Sequence, residues 1–455
     1  CDVLAPLAGT VWVHAAIGEA PSASTPLVRG DVNVYDESGR TLVQLAGLSL
    51  SLVEGDATRA DAGDRLAQQL VYERTWRVAP APAPKSDPRD AAGKWLVISG
   101  GTDSGVVAAE LVQQIELSGG QCVTVPEPEL RGRVYLGGLD ATTPSDVEQV
   151  VQDVLRLAQS DSQSPVWIVT RGAVTLVQSR STVTASGVSQ APLWGFGRAW
   201  AVERPGALGG LVDLDPTRPA VEFVAQLLDV LTGDRDEDMV ALRSRERYVP
   251  RLIRGTPIPH SLESTEADSV PLVFEADATV VVTGGTGGLG LRLTEWLVSR
   301  GAMHILLSSR RAPGQEAQAL LSRLRASGVD VKALQVDVAD SESLSATLQA
   351  AVSAGTPISS VFHLAGVLDD GRLEDQTQDR FSAVLAPKIA GAWNLHQFTA
   401  ETPLKHFVLF SSVSSLMPAP GQASYAAANA FLDGLAHYRR SLGLVALAVN
   451  WGPWS

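Results

Sequence analysis

The chain has 455 residues, a hydrophobic fraction of 45% and a formal net charge of −14. This length predicts two or three domains, and the negative charge argues against nonspecific binding to nucleic acid or to an anionic membrane. No run of about 18 apolar residues predicts a membrane span. Two cysteines and seven histidines lack ligand spacing, so we expect no metal site, no disulfide framework and a cytoplasmic location. The start at Cys1, without Met or a signal peptide, indicates a piece of a longer polypeptide.

The first 53 residues predict β structure. Apolar residues alternate in four short stretches, at 9–15, 30–35, 41–45 and 47–53. The turn Asp36-Glu-Ser-Gly39 predicts a hairpin in an antiparallel sheet. About 50 residues bury too little surface to be stable alone, so we expect this sheet to pack on something else. Residues 54–92 then predict a charged stretch, a strand at 70–78 and an extended Pro/Ala linker.

Residues 93–255 predict the alternating strands and helices of a doubly wound sheet. The expected elements are strands at 94–98, 121–125, 133–136 and 165–170, and helices at 106–117 and 146–159. The turn at 99–106 matches a second turn at 283–290, but Ser104 and Val106 replace Gly288 and Gly290. Asp103 also adds negative charge where a phosphate would sit. We therefore predict a Rossmann-like structural subdomain without a nucleotide, followed by a polar linker at 256–275.

The second alternation, over 276–455, opens with a strand at 279–282, a glycine turn and a helix at 288–300. Bare backbone at such a turn lets a pyrophosphate approach N–H groups at the positive end of the helix. The predicted cofactor-binding residues of the turn are Gly284, Gly285, Thr286, Gly287, Gly288, Leu289 and Gly290. The remaining expected elements are strands at 304–308, 331–336, 360–364, 406–410 and 445–449, and helices at 315–327, 341–354, 380–400 and 425–442.

The ends of the next three strands predict further cofactor contacts. The second strand leads into Ser309, Arg310 and Arg311, about 20 residues past the turn, where an acid favours NAD and an Arg suits the 2′-phosphate of NADP. Asp337 and Val338 end the third strand, where a carboxylate reaches the adenine amino group. Ala365 and Gly366 end the fourth strand, where small residues leave room for a nucleotide. The fold class is thus α/β, with two Rossmann-like doubly wound subdomains, structural then catalytic, after an antiparallel β segment.

Four residues predict proton chemistry beyond this turn. Ser412 ends a strand, Tyr425 and Asn429 lie one helical turn apart, and Lys388 lies on the preceding helix. A Tyr is a weak acid with a reference pKa of about 10. A neighbouring ammonium and a positively charged nicotinamide would favour the phenolate and make the Tyr a usable proton donor to a carbonyl.

Residues 276–455 resemble the short-chain dehydrogenase/reductase superfamily, specifically the ketoreductase domains of modular polyketide synthases. The resemblance rests on the glycine turn, His363-Leu-Ala-Gly-Val-Leu-Asp-Asp370, Phe410-Ser-Ser412, Tyr425-Ala-Ala-Ala-Asn429 and Asn450-Trp-Gly-Pro, with Lys388. It implies that Tyr425, Ser412, Lys388 and Asn429 are catalytic, with Lys388 and Asn429 exchanged in order relative to ordinary members of the superfamily. It also implies NADPH-dependent reduction of a β-ketoacyl chain on the phosphopantetheine of an acyl carrier protein.

Other parts of the chain resemble neighbouring parts of the same synthases. Residues 70–255, with Trp194-Gly-Phe-Gly-Arg, resemble the structural subdomain of these ketoreductases. Residues 1–53 resemble the C-terminal strands of a dehydratase without its catalytic motifs, so no dehydratase activity is expected. The resemblance implies other domains of one synthase as partners, a homodimeric parent synthase and a lid beyond Asn450-Trp-Gly-Pro, so we expect the catalytic subdomain to be truncated at its C-terminus.

The resemblance also implies a stereochemical type. Leu368, Asp369 and Asp370 resemble the marker of B-type ketoreductases, which give a D (3R) hydroxyl. Met417 stands where A-type enzymes have a Trp, eight residues before Tyr425. Pro420 fits the B-type Pro-x-x-x-Asn pattern, although Ser424 replaces its Asn.

Three alternatives remain at this point. The chain could be another short-chain dehydrogenase or an epimerase, a catalytically silent NADPH-binding scaffold, or a nucleotide-sensing interaction protein. The nucleotide-free first half argues against the first. Intact Gly284, Gly288, Gly290, Ser412 and Tyr425 argue against the second.

Overall fold

A computed structural model of the chain describes residues 2–3, 11–17, 27–36, 41–51, 71–79, 91–160, 164–176, 183–233, 237–254, 274–352 and 356–452. Packing divides the chain into two compact units, Cys1–Tyr72 with Arg254–Leu262 and Glu73–Ile253 with Glu263–Ser455. Within the described ranges no helix is long and apolar enough to cross a membrane. Most of the linker expected at 256–275, and the segments 54–70 and 80–90, lie outside the described residues.

The first unit contains a four-stranded antiparallel sheet. Its strands, in the spatial order β1-β4-β3-β2, are β1 (Asp2–Val3), β2 (Val11–Ile17), β3 (Leu27–Asp36) and β4 (Thr41–Ser51). The pairing of Tyr35 with Thr41 confirms the hairpin. The prediction of two short strands at 41–45 and 47–53 is wrong, because β4 runs through Gly47. A register shift opposite Gly30 and Val32 absorbs an extra residue there, as in a β-bulge.

The second unit begins with an eight-stranded sheet, which with its helices forms the first subdomain (73–253). Its strands are β5 (Tyr72–Ala79), β6 (Gly93–Ile98), β7 (Gly120–Val123), β8 (Leu130–Tyr135), β9 (Val166–Arg171), β10 (Leu208–Leu214), β11 (Met239–Arg243) and β12 (Glu246–Arg254). The order is β5-β12-β11-β10-β9-β8-β6-β7. The run β7-β6-β8-β9-β10 is parallel and has the 2-1-3-4-5 order of flavodoxin-like sheets, and β11 pairs in parallel with β10 as a sixth strand. The helices are α1 (Thr102–Leu117), α2 (Val147–Gln159), α3 (Ala185–Glu203) and α4 (Val224–Thr232).

A six-stranded parallel sheet organises the second subdomain (274–452). Its strands are β13 (Thr279–Thr283), β14 (His304–Ser309), β15 (Asp330–Gln335), β16 (Ile358–His363), β17 (His406–Ser412) and β18 (Leu447–Trp451). The order β15-β14-β13-β16-β17-β18 is the 3-2-1-4-5-6 order of dinucleotide-binding folds. Such sheets bind ligands where the order reverses, at the carboxyl ends of the first and fourth strands, here β13 and β16. The helices are α5 (Gly288–Ser299), α6 (Gln315–Ala326), α7 (Ser341–Val352), α8 (Gln378–Lys388), α9 (Ala390–Phe398) and α10 (Ala423–Ser441).

The expectation of one helix over 380–400 is wrong, because α8 and α9 are separate helices that meet at Ile389. Pro387 lies in the last turn of α8 and cannot donate a backbone hydrogen bond, which weakens helical continuity there. The break leaves Lys388 as the last residue of α8.

Five of the α-helices and strands described in the first subdomain were not predicted from the sequence: α4, β10, β11, β12 and, the longest of them, helix α3. It is buried on almost every side, so it shows none of the one-sided periodicity that marks a surface helix. It packs on α10, and a Cβ at Gly195 would lie 2.2 Å from the carbonyl oxygen of Ala426. Gly195 therefore allows α3 and α10, and with them the two subdomains, to pack closely.

Candidate active site

An open groove of about 570 Å³ lies at the carboxyl ends of the strands of the second sheet. Thirteen of the fourteen residues predicted to bind cofactor line it: Gly284, Thr286, Gly287, Gly288, Leu289, Gly290, Ser309, Arg310, Arg311, Asp337, Val338, Ala365 and Gly366. Gly285 lies behind the wall, and its backbone N–H donates to the carbonyl of Ser308. Ala312, Gly314, Val367 and Pro387 also line the groove and were not predicted.

The glycines of the turn meet different steric demands. Gly284 has a φ of +67°, a region that favours glycine. A Cβ at Gly290 would lie 2.6 Å from the carbonyl oxygen of Gly284, so this position needs glycine for helix packing. A Cβ at Gly288 would meet nothing within 4 Å. Packing within the protein therefore does not require glycine at position 288. The approach of a pyrophosphate would require it, because a side chain there would occupy the groove.

In the corresponding turn of the first subdomain, side chains of the protein accept the backbone N–H groups. The backbone N–H of Ser104 donates to the Asp140 carboxylate at 3.1 Å. The hydroxyl oxygen of Ser104 accepts the N–H groups of Gly100 and Gly101, each at 3.1 Å. A carboxylate and a hydroxyl thus accept the hydrogen bonds that a phosphate would take at a helix start. Asp140 lies 36 residues from Ser104 and was not part of the prediction.

The strand ends place charge and space around the groove. Arg310 and Arg311 are exposed at its edge, and neither forms a salt bridge with another described residue. Asp337 accepts the backbone N–H of Ala339 at 2.9 Å, which leaves its second oxygen for another donor. In the parts of the chain that the structure describes, no three His, Cys, Asp or Glu side chains are grouped to hold a metal ion.

Lys388 and Tyr425 meet beside the groove. Lys388 is 3% exposed, and its ammonium lies 5.6 Å from the centroid of the Tyr425 ring. Lys388 Nζ donates to the carbonyl oxygen of Phe410 at 2.9 Å. Gly366 lines the groove, and a Cβ there would lie 3.0 Å from Lys388 Cε, so a glycine at this position leaves room for the lysine. Burial lowers the pKa of Lys388 to about 8, against the opposing effect of Asp433.

Asn429 and Ser412 flank this pair. Asn429 is fully buried and donates from Nδ2 to the carbonyl oxygen of Tyr425 at 2.8 Å. Its Oδ1 has no hydrogen-bond partner among the described residues. Ser412 is half-buried at the end of β17, and its Oγ accepts the N–H of Ser414 at 3.2 Å. The four predicted catalytic residues therefore lie on α8, α10 and β17, and the structure brings the side chains of Lys388 and Tyr425 together.

A polar network that the sequence reasoning missed supports Ser412. Asn450, in β18, donates from Nδ2 to the Ser412 carbonyl at 3.2 Å and to the Asp433 carboxylate at 3.0 Å. Ser415 donates to the same carboxylate at 2.6 Å. Arg198 of α3 donates to the Ser415 carbonyl at 2.6 Å. The sequence did contain a sign of this network, because Asp433 follows Asn429 by four residues and so lies on the same face of the helix.

The residues expected to set stereochemistry lie on two loops next to each other. Leu368 is 67% exposed and Met417 is 62% exposed. Asp369 forms an ion pair with Arg380 at 2.5 Å, which lowers the pKa of that carboxyl. Asp370 accepts a hydrogen bond from the Gln422 side chain at 3.2 Å. Pro420 is exposed on the second loop, next to that glutamine.

We expect the rate of any reaction that needs the Lys388 ammonium to fall by about tenfold per pH unit above pH 8, because the amine is protonated only below its pKa of about 8. His363 does not titrate in this range, because burial and nearby Lys388 lower its pKa to about 3. Initial rates at saturating substrate, measured from pH 6 to 10, test the expected fall above pH 8. Lys388→Met should lower the rate by about 10²-fold and remove the fall above pH 8. The same fall in that variant would exclude Lys388 as the titrating group.

Comparisons with known proteins cover both subdomains. The KR domain family model matches residues 278–455. A second model, described as the Rossmann fold domain of the polyketide synthase extender module SpnB, matches residues 74–252. The polyketide synthase GfsB of Streptomyces halstedii is 34% identical over 98% of this chain, which spans 9% of that synthase.

Two solved structures have similar folds. The structure of an A1-type ketoreductase has a TM-score of 0.72 and 31% identity, covering 85% of this chain and 83% of the other. A structure of A-type ketoreductases from a modular polyketide synthase has a TM-score of 0.70 and 32% identity, covering 85% and 84%. Both fold and sequence similarity therefore extend over the two Rossmann-like subdomains together.

Proposed function

Because the chain belongs to the ketoreductase domains of modular polyketide synthases, which are oxidoreductases, we propose that it uses NADPH to reduce a β-ketoacyl chain carried as a thioester on an acyl carrier protein. The product is the β-hydroxyacyl thioester with a D (3R) hydroxyl. The observation that carries this proposal is the position of Lys388 and Tyr425 beside a groove that begins at a bare glycine turn.

The chain's own residues handle the proton and the carbonyl. Tyr425 donates its phenolic proton to the keto oxygen as that oxygen gains negative charge. The Lys388 ammonium, 5.6 Å from the ring centroid, favours the phenolate left behind. Ser412 donates a hydrogen bond to the same oxygen, and Asn429 holds the Tyr425 turn of the helix. When bound, NADPH would supply the hydride for the keto carbon, and together with the proton from Tyr425 this would convert the C=O group into CH–OH.

The groove fits a nicotinamide dinucleotide phosphate. Gly288 offers backbone without a side chain at the start of α5, where an anionic group is favoured. Arg310 and Arg311 are exposed at the groove edge without salt bridges to described residues, and a guanidinium pairs well with a 2′-phosphate. In this proposal Asp337 and Val338 would hold the adenine end of the cofactor, and Ala365 and Gly366 would leave room for its nicotinamide end. The first subdomain, with Asp140 and Ser104 at its turn, binds no nucleotide in this proposal.

The B-type assignment rests on the two exposed loops. Leu368, Asp369 and Asp370 carry the B-type pattern, and Met417 takes the place of the A-type tryptophan. Pro420 also fits the B-type pattern. The two similar structures named above are of A-type enzymes, so these loop residues, rather than overall similarity, support the D product.

The test is NADPH oxidation by the chain with short and long 3-oxoacyl thioesters, followed by chiral analysis of the alcohols. We expect turnover with NADPH, at least about tenfold less with NADH because the Arg310 contact is lost, and mainly the D alcohol. Mainly L alcohol would contradict the B-type assignment. NADPH binding without consumption would indicate a silent scaffold or a sensor, and turnover of free sugars or alcohols instead would indicate another short-chain dehydrogenase or epimerase.

The partners follow from the same proposal. They are the acyl carrier protein and the other domains of one synthase, within a homodimeric parent. Residues 1–53 would be the end of a dehydratase, and the antiparallel sheet of the first unit agrees with this.

A further inference from the structure

A single carboxylate of the first subdomain holds both loops that carry the predicted stereochemical residues. Glu203 is the last residue of α3. Its Oε1 accepts the backbone N–H of Leu373 at 2.5 Å, and its Oε2 accepts the backbone N–H of Gly421 at 3.0 Å. Leu373 follows the loop of Leu368–Asp370, and Gly421 follows Met417 and Pro420 on the second loop. The two oxygens of one side chain therefore set the distance between the loops.

The loops also bind each other at the same place. The N–H of Gly371 donates to the carbonyl oxygen of Gly421 at 2.9 Å. Gly421 has a φ of +85°, and a Cβ there would lie 3.5 Å from the Gly371 backbone. This contact is a single backbone hydrogen bond, whereas the Glu203 contacts are charge-assisted and stronger. A second bond between the loops runs from the Gln422 side chain to the Asp370 carboxylate. Glu203 differs from both contacts because its carboxylate binds the backbone of each loop.

Other side chains of the first subdomain hold the first loop alone. Gln159, at the end of α2, donates to the carbonyls of Leu373 and Gln376, each at 2.8 Å. Arg204 pairs with Glu374 at 3.5 Å. Leu373 itself is fully buried. The first subdomain therefore anchors the end of this loop from three positions, but only Glu203 among them also reaches the second loop.

The exposed residues between these anchors depend on the backbone for their positions. Leu368 and Met417 are 67% and 62% exposed, so packing of their own side chains does not fix where they point. A change in the distance between the loops would move both side chains relative to the carbonyl that Tyr425 protonates. Since hydride reaches the ketone from one side, the face that the substrate turns toward it decides which alcohol forms, and the two loops favour one of these two orientations.

We propose that Glu203, a residue of the subdomain without a nucleotide, is a positioning residue that sets the stereochemistry of reduction by fixing the two loops at a defined separation. The inference rests on the proposed function. It gives the first subdomain a part in product selection as well as in folding.

The test compares Glu203→Ala and Glu203→Gln with the unaltered 455-residue chain. The control is Glu222→Gln, an exposed glutamate of the first subdomain that pairs with Arg218 away from the loops. A short 3-oxoacyl thioester of N-acetylcysteamine is the substrate, and chiral chromatography gives the D to L ratio. We expect Glu203→Ala to lower that ratio by about tenfold or more, with the NADPH dissociation constant unchanged within about twofold. Glu203→Gln should be intermediate, because its amide keeps one acceptor oxygen, and Glu222→Gln should match the unaltered chain.

Hydrogen exchange gives a second readout that needs no catalysis. In Glu203→Gln at least one of the backbone amides of Leu373 and Gly421 should exchange about tenfold faster than in the unaltered chain, because the new side chain keeps only one acceptor oxygen, while the amide of Lys388 should not change. An unchanged product ratio in Glu203→Ala, or unchanged exchange at both amides in Glu203→Gln, would overturn the inference. If the unaltered chain reduces no thioester, the proposed function fails instead, and the exchange measurement still tests whether Glu203 holds the loops.

Discussion

Replacing Tyr425 with Phe should lower the rate of ketone reduction by about 10³-fold, in the range that general acids contribute. The substitution removes only the phenolic oxygen, so the keto oxygen loses its proton donor while the ring keeps its place on α10. Lys388 retains its hydrogen bond to the Phe410 carbonyl, which does not involve the phenol. We therefore expect fluorescence titration to give an NADPH dissociation constant within about twofold of the unaltered chain.

The matched control is Tyr438→Phe on the same helix. Tyr438 is half-buried and stacks on Trp393, with ring centroids 6.0 Å apart, so its hydroxyl serves no role in the proposed chemistry. This variant should reduce the thioester at the normal rate. Turnover of Tyr425→Phe within tenfold of the unaltered chain would remove Tyr425 as the proton donor and would leave Ser412 to be tested in its place.

Replacing Gly288 with Val should slow reduction at low NADPH concentration by weakening cofactor binding. A Cβ at this position meets no protein atom within 4 Å, so the valine fits the fold and occupies the groove. A steric conflict of about 3 kcal/mol with the pyrophosphate is enough to raise the NADPH dissociation constant about 100-fold. Fluorescence titration measures this, and thermal unfolding without cofactor should show a melting temperature within about 3 °C of the unaltered chain.

Substitutions at two other glycines distinguish an effect on NADPH binding from an effect on folding. Gly105→Val makes the same change in the first turn of α1, where a Cβ also meets nothing within 4 Å, and it should leave NADPH binding unchanged. Gly290→Val should instead lower the melting temperature, because its Cβ would lie 2.6 Å from the Gly284 carbonyl oxygen. Equal NADPH affinity for Gly288→Val and the unaltered chain would mean that the pyrophosphate does not approach this turn.

The positions of the glycine turn and of most strands could be predicted because the features that mark them are contiguous. A strand, a turn and a helix start follow one another in 279–299, and each has its own period or residue type. The strand order 3-2-1-4-5-6 then brings the ends of β14, β15 and β16 to one groove, which is why thirteen predicted residues line it together. The helix α3 was missed for the converse reason. Burial on all sides removes the periodicity on which prediction depends.

The fold class, the glycine turn and the proposed catalytic residues Tyr425, Ser412, Lys388 and Asn429 could be predicted from the sequence, since contiguous patterns and the spacings of a family resemblance mark them. The distant groups that surround these residues became apparent in the three-dimensional structure. Asp140 fills the first turn from 36 residues away, and Glu203 reaches Leu373 and Gly421 across 170 and 218 residues. No local pattern marks such partners, because a hydrogen bond between remote segments depends on how whole subdomains pack and not on the residues next to it in the chain.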